Sequence, residues 1–125
     1  MGDSEIHVKV AREKRAAALD EYGKGRFTVV GDLAIKAVEQ AIEALAALED
    51  LHFHLHPRSA HAGRLRWVKE RFPWVSADVD ELWGAYGALG YGGINGERAR
   101  RVIECMERVL GEFERRAGVK FRENS

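Results

Sequence analysis

Four of the five histidines in this chain, His52, His54, His56 and His61, fall within ten residues, in the stretch HFHLHPRSAH. Histidine supplies either a proton-transfer group near neutral pH or a ligand nitrogen for a transition metal. If the preceding helix continued through residue 56, Glu49, His52 and His56 would share one face at i, i+3 and i+7. Glu49-Asp50-Leu51-His52 reads Glu-x-x-His, the pattern used by di-iron bundles. Those bundles need a second such pair and two further inward glutamates, and the chain has no second Glu-x-x-His. A zinc site on His52, His56 and His61 is the remaining metal alternative. Against it, His52 lies near the apolar stripe of its helix, where a hydrogen-bonded core histidine is the simpler reading, and the others suit an ordinary loop.

A second group follows directly. Arg58, Arg64, Arg66, Lys69 and Arg71 are opposed within their stretch only by Glu70, with Trp67, Phe72 and Trp74 interleaved. Cations neutralise phosphates and aromatic faces stack on unpaired bases, so this is the candidate nucleic-acid-binding surface. The competing reading makes the charges a wet helix face, with Leu65, Val68, Phe72 and Trp67 turned inward. Arg58 and His61 form a further, catalytic alternative: a histidine base beside an arginine that stabilises phosphorane-like charge. The glycine-rich run Gly90 to Gly96 has no lysine followed by Ser or Thr and no preceding strand, so it is neither a P-loop nor a dinucleotide fingerprint. Cys105 flanks an apolar stripe and reads as a half-buried, inert thiol.

The elements that position these groups are helical throughout. A first helix is expected from about Glu5 to Tyr22, stopped by Gly23-Lys24-Gly25. A second starts near Phe27, carries Val30, Ala34, Val38, Ala41, Leu45 and Leu48 as one buried stripe, and is ended by Pro57. A third spans about Ser59 to Phe72. A fourth runs from an N-cap at Ser76 through Leu89, with Asp78 and Asp80 in its first turn. Asn95 can cap the last, from about Glu97 to Arg116, with Gly118 as its stop and the final residues KFRENS fraying. Short connections make sequential helices antiparallel neighbours, so the expectation is an all-α, up-and-down bundle of four to five helices in a single domain, residues 1–125.

Composition bounds the rest. The chain has 125 residues, enough for one domain with a useful core. Lys plus Arg and Asp plus Glu are both 20, so the formal net charge is zero and the protein is not basic overall. A single cysteine excludes an intrachain disulfide and, within one chain, a thiolate zinc cluster. The N-terminus is charged and lacks a signal-peptide core, and no apolar run approaches the roughly 18 residues of a membrane span. A cytoplasmic protein with no membrane contact and no cofactor is expected. Scarce Gln, Asn, Met and Cys beside abundant charge suggest a thermophilic source, or a GC-rich genome. The large apolar side chains Trp67, Trp74, Trp83, Tyr86 and Tyr91 exceed what a small bundle hides, which points to a homodimer.

The layout also resembles a known family. An Ala-rich second helix carrying Lys-Ala-x-Glu-Gln-Ala (Lys36 to Ala41), a histidine-containing turn, a short third helix, and Tyr91-Gly92-Gly93 before a long final helix resemble the HEPN superfamily, its archaeal branch above all, over about residues 5 to 117. The resemblance implies a four- or five-helix bundle, often homodimeric, from toxin–antitoxin, RNA-cleaving or nucleotidyltransferase-partner systems. Active ribonucleases of that superfamily carry Arg, four to six residues, then His. Here the nearest approach, Arg58-Ser59-Ala60-His61, has only two residues between. Catalytic residues therefore do not carry over, and the resemblance implies a non-catalytic member that binds RNA, a nucleotide or a nucleotidyltransferase-like partner.

Overall fold

The computed structural model describes residues 3–91 and 96–122. Among the described residues there is no strand, as an all-α chain requires. Five α-helices follow in order: α1 (Asp3–Gly23), α2 (Phe27–Ala47), α3 (Ala60–Arg71), α4 (Ser76–Tyr91) and α5 (Gly96–Ala117). Single 3-10 turns lie at Phe53–Leu55 and Pro73–Val75. Helix α1 stops as its glycines dictate. Gly25 takes φ 76, and the N–H groups of Lys24, Gly25 and Arg26 turn back onto carbonyls of α1.

Helix α2 is the axis of the molecule. It touches all four other helices. Its buried set is wider than one stripe and includes Gly31, Ala34, Ile35, Ala37, Val38, Ala41, Ile42, Ala44 and Ala46. A helix apolar almost all round is a buried helix, and its small side chains let neighbours approach closely. Leu48, expected on the inner stripe, instead lies past the helix end and is exposed. Around α2, α5 presents Ala99, Val102, Met106, Val109, Leu110 and Phe113, all buried. Phe113 meets Phe72 with ring centres 4.8 Å apart. Each such buried aromatic contributes about 1.5–3 kcal/mol relative to exposure.

Helix directions follow from which residues meet. Ser4 bonds to Ala44 and His7 to Gln40, so α1 and α2 are antiparallel. Trp74 reaches Glu112 and Asp78 reaches Arg108, so α4 and α5 are antiparallel. Between α2 and α3 the up-and-down expectation fails. His61, Arg64 and Arg71 meet Glu39, Glu43 and Glu49 in ascending order, so α3 runs parallel to α2. The segment 48–59 is long enough to travel back along α2 before α3 begins.

Two ends differ from expectation. Ser76 has helical backbone angles, φ −56 and ψ −42, because the turn Pro73–Val75 feeds directly into α4; it is the first residue of the helix rather than a cap. Of the tail KFRENS, residues 120–122 do not fray, and residues 123–125 lie outside the described residues. Gly118 ends α5 at φ 74, and Phe121 then packs into the core with no exposed surface. Glu114 accepts the backbone N–H groups of Phe121 and Arg122, and α1 holds the same segment through Arg12 to the Lys120 carbonyl and Arg15 to the Arg122 carbonyl. The expected Asn95 cap and the centre of the glycine run, residues 92–95, lie outside the described residues; Gly90 and Tyr91 continue α4 and Gly96 opens α5. Among the described residues no helix is long and apolar enough to cross a membrane.

Candidate functional site

The site is made where α2 ends. Asp50 takes φ 61, its N–H bonds to the Ala47 carbonyl at 3.0 Å, and the Leu51 N–H bonds to the Ala46 carbonyl at 3.0 Å. This pair of backward bonds around a left-handed residue is a Schellman stop, with Asp where glycine is commoner. The helix is over well before Pro57, so Glu49, His52 and His56 never share a helical face. The chain then returns along α2, and α3 starts beside the middle of that helix, where His61 meets Glu39. Gly63 makes room for the return: a Cβ there would lie 2.9 Å from the Phe53 ring.

At the centre is Glu43, on α2 and 1 % exposed. Its Oε2 accepts from Arg64 Nε at 2.7 Å, and its Oε1 faces His54 Nδ1 at 3.1 Å and the His54 backbone N–H at 3.3 Å. Burial pushes the Glu43 pKa up, but the bonds from Arg64 and His54 outweigh it and hold the carboxyl below the usual carboxylate range. Beside it, His7 of α1 is buried and its Nδ1 lies 2.6 Å from Gln40 Oε1. The His7 and His54 rings meet edge to face, centres 4.8 Å apart.

The basic group is mostly committed to carboxylates. Arg64 is spent on Glu43 and, at 3.5 Å, on Glu39. Arg71 forks onto Glu49 while lying over the Trp67 ring, and Lys69 meets Asp80 at 2.6 Å. Arg58 and Arg66 are exposed. Trp67 and Phe72 are core residues, as their inward reading expects, and cannot stack on a base. Trp74 is half exposed, but its ring is covered by Arg116 and its Nε1 donates to Glu112 at 2.6 Å. With three of the five cations paired to carboxylates, the stretch reads as an ion-paired helix flank more than as a continuous phosphate track.

The histidines also separate. His52 Nε2 lies 3.0 Å from Asp50, His61 Nδ1 lies 3.4 Å from Glu39 and against Trp83, and His56 is exposed in the turn before Pro57. His52, His56 and His61 thus do not converge on one point. Among the described residues the one group of three that could share an ion is His7, Glu43 and His54. Only His54 belongs to the conspicuous cluster. No hydrogen bond or ion pair joins Arg58 to His61 among the described residues; Arg58 lines a surface depression with Leu55, His56, Pro57 and Ser59. Cys105 is buried, and burial first, with Asp78 nearby, pushes its thiol up to about 11, which leaves it inert at neutral pH.

Sequence reasoning missed His7, Gln40 and Glu43. One signal was available: Glu43 is the lone charge in the apolar run Ala41 to Leu48, and a charge inside a buried helix must have partners. Comparison with models of protein families, with curated proteins and with solved structures gave no match.

Proposed function

We propose that the chain is a non-catalytic, HEPN-like interaction module that works as a homodimer through the end of the bundle where α2 gives way to the return segment. One observation supports this reading above others. Leu48, Leu51 and Leu55 are 63 %, 38 % and 63 % exposed within eight residues of chain, whereas among the described residues the other exposed large aliphatics, Ile6 and Val29, stand singly in the sequence. Leu48 also borders a groove of about 270 Å³ lined by Leu45, Trp67, Phe72 and Arg116. Three large aliphatic side chains left in water favour association by on the order of 1 kcal/mol each when covered. Such a run of exposed apolar side chains is covered most simply by its own copy across a two-fold axis. Light scattering across the micromolar range tests it. The wild type should run as two chains, and Leu48→Glu with Leu55→Glu as one. A wild type that stays single at every concentration would remove the dimer.

In the same reading the ligand is RNA or a nucleotide, with a nucleotidyltransferase-like protein as hetero-partner. Its support is the exposed pair Arg58 and Arg66 together with the resemblance. A polarisation titration with short RNA at low salt decides the ligand: binding should weaken in Arg58→Ala/Arg66→Ala, and unchanged affinity would exclude these residues.

A second reading has its own observation. Glu39 sits 3.4 Å from His61 Nδ1, the relation of a carboxylate that orients a histidine base, and His61 is exposed. This supports the ribonuclease alternative, with His61 as base and Arg58 as charge stabiliser. RNA incubated in EDTA should be cut by the wild type and spared by His61→Ala; equal cleavage by both would eliminate this assignment.

A further inference from the structure

We propose that His7, Glu43 and His54 bind one divalent transition-metal ion of the zinc class. One ligand atom from each lies within 4.8 Å of the others. Zinc–nitrogen and zinc–oxygen bonds near 2.0–2.1 Å put the corners of a tetrahedron about 3.3 Å apart. The edge between His54 Nδ1 and Glu43 Oε1 is already 3.1 Å. Closing the remaining edges takes a movement of roughly 1.5 Å or less, within reach of side-chain adjustment alone.

The surroundings are those of a prepared ligand set. The Gln40 oxygen can only accept, so His7 Nδ1 carries the ring proton and Nε2 presents a lone pair. Metal-bound histidines are commonly fixed in this way by a carbonyl on the other ring nitrogen. Glu43 is steadied through its second oxygen by Arg64. Arg64 in turn lies between Glu39 and Glu43, so two carboxylates face one guanidinium and the cluster has negative charge to spare for a cation. Binding through His54 Nδ1 moves that ring's proton to Nε2, and the imidazole stays neutral. His54 is partly exposed, which gives the ion a route in. Two histidines and a glutamate leave a fourth position for water or an outside ligand. Three separate segments, α1, α2 and the return turn, would be tied at one point.

The test uses the full chain purified without a histidine tag, stripped with a chelator and titrated with zinc or cobalt(II). About one ion should bind per chain, cobalt should show the absorption of a tetrahedral site, and melting should rise by roughly 10 °C at about a hundredfold excess over Kd. His54→Ala and His7→Gln should abolish the rise, Gln40→Ala should weaken binding about 10–100-fold, and His56→Ala should leave it intact. Unchanged melting and no retained metal in the wild type would overturn the proposal, whether or not every variant folds. Binding lost equally in His56→Ala would also overturn it, because the ion would then sit on the exposed loop histidines.

Discussion

Removing Arg64 should strand a buried charge. In Arg64→Met the Glu43 carboxylate, 1 % exposed, loses its arginine partner. Breaking one side of a buried ion pair costs about 3–5 kcal/mol. Glu43 keeps the His54 backbone N–H and ring nitrogen, which places the expected loss near the lower end, at about 3 kcal/mol. A domain of this size has about 5–15 kcal/mol in total, so the loss is a large fraction and lowers melting by roughly 10 °C. The double variant Glu43→Leu/Arg64→Met removes both charges and replaces them with side chains of similar volume. It should return to within about 1 kcal/mol of the wild type, because apolar replacements of buried pairs are often neutral or better. The coupling between the two positions is then about 2 kcal/mol or more. Urea unfolding followed by circular dichroism, in EDTA so that no metal contributes, measures all four members of the cycle. An Arg64→Met loss below about 1 kcal/mol, or single-variant losses that simply add, would refute the buried-pair reasoning.

Other consequences are as specific. Burial pushes the Glu114 pKa up, but the Phe121 and Arg122 N–H groups and the Arg122 side chain more than offset this and hold it below the ordinary range. Its contribution is therefore complete above the unfolded value near 4.3 and lost as pH falls through the lower folded value, so between about pH 5 and 3 the wild type should lose melting temperature faster than Glu114→Gln; parallel profiles would contradict this. Asp50→Gly should relieve the left-handed backbone at φ 61 at the expense of one exposed contact to His52, gaining about 0.5–1 kcal/mol; a lower urea midpoint would contradict it. With its thiol near 11, folded Cys105 should alkylate about a hundredfold more slowly than the same thiol in guanidinium, and equal rates would show the side chain to be open.

The parts of this fold that could be read in advance were local. Helix α5 follows a clean apolar stripe, α1, α3 and α5 end at glycine or just before proline, and the start of α2 at Phe27 follows Gly23-Lys24-Gly25. The end of α2 was illegible because its stop uses Asp50, and Asp in a left-handed position is a minority choice beside glycine. Pro57, the obvious breaker, took its place in the reading and carried the histidines onto an imagined helical face. The parallel course of α3 follows from the same error, since a helix running to His56 leaves too short a link to return. His7 and Gln40 could not be matched from the linear chain: their contact with Glu43 and His54 exists only because α1 and α2 align as a hairpin. Ion pairing of Arg64, Lys69 and Arg71 was equally hidden, because each partner lies on another element.

The strap at residues 119–122 sets an order on events in the cell. Arg15 leaves the ribosome before its partner, and the Arg122 carbonyl it holds is 107 residues further on. At about 5–20 residues per second, roughly 5–20 s separate the two. Through that interval the α1–α2 hairpin can form, but the floor that Phe121 seals beneath Phe113 stays open to water. Closure of the core thus waits for residue 122 to clear the exit tunnel, and until then the nascent chain carries an unsealed apolar face.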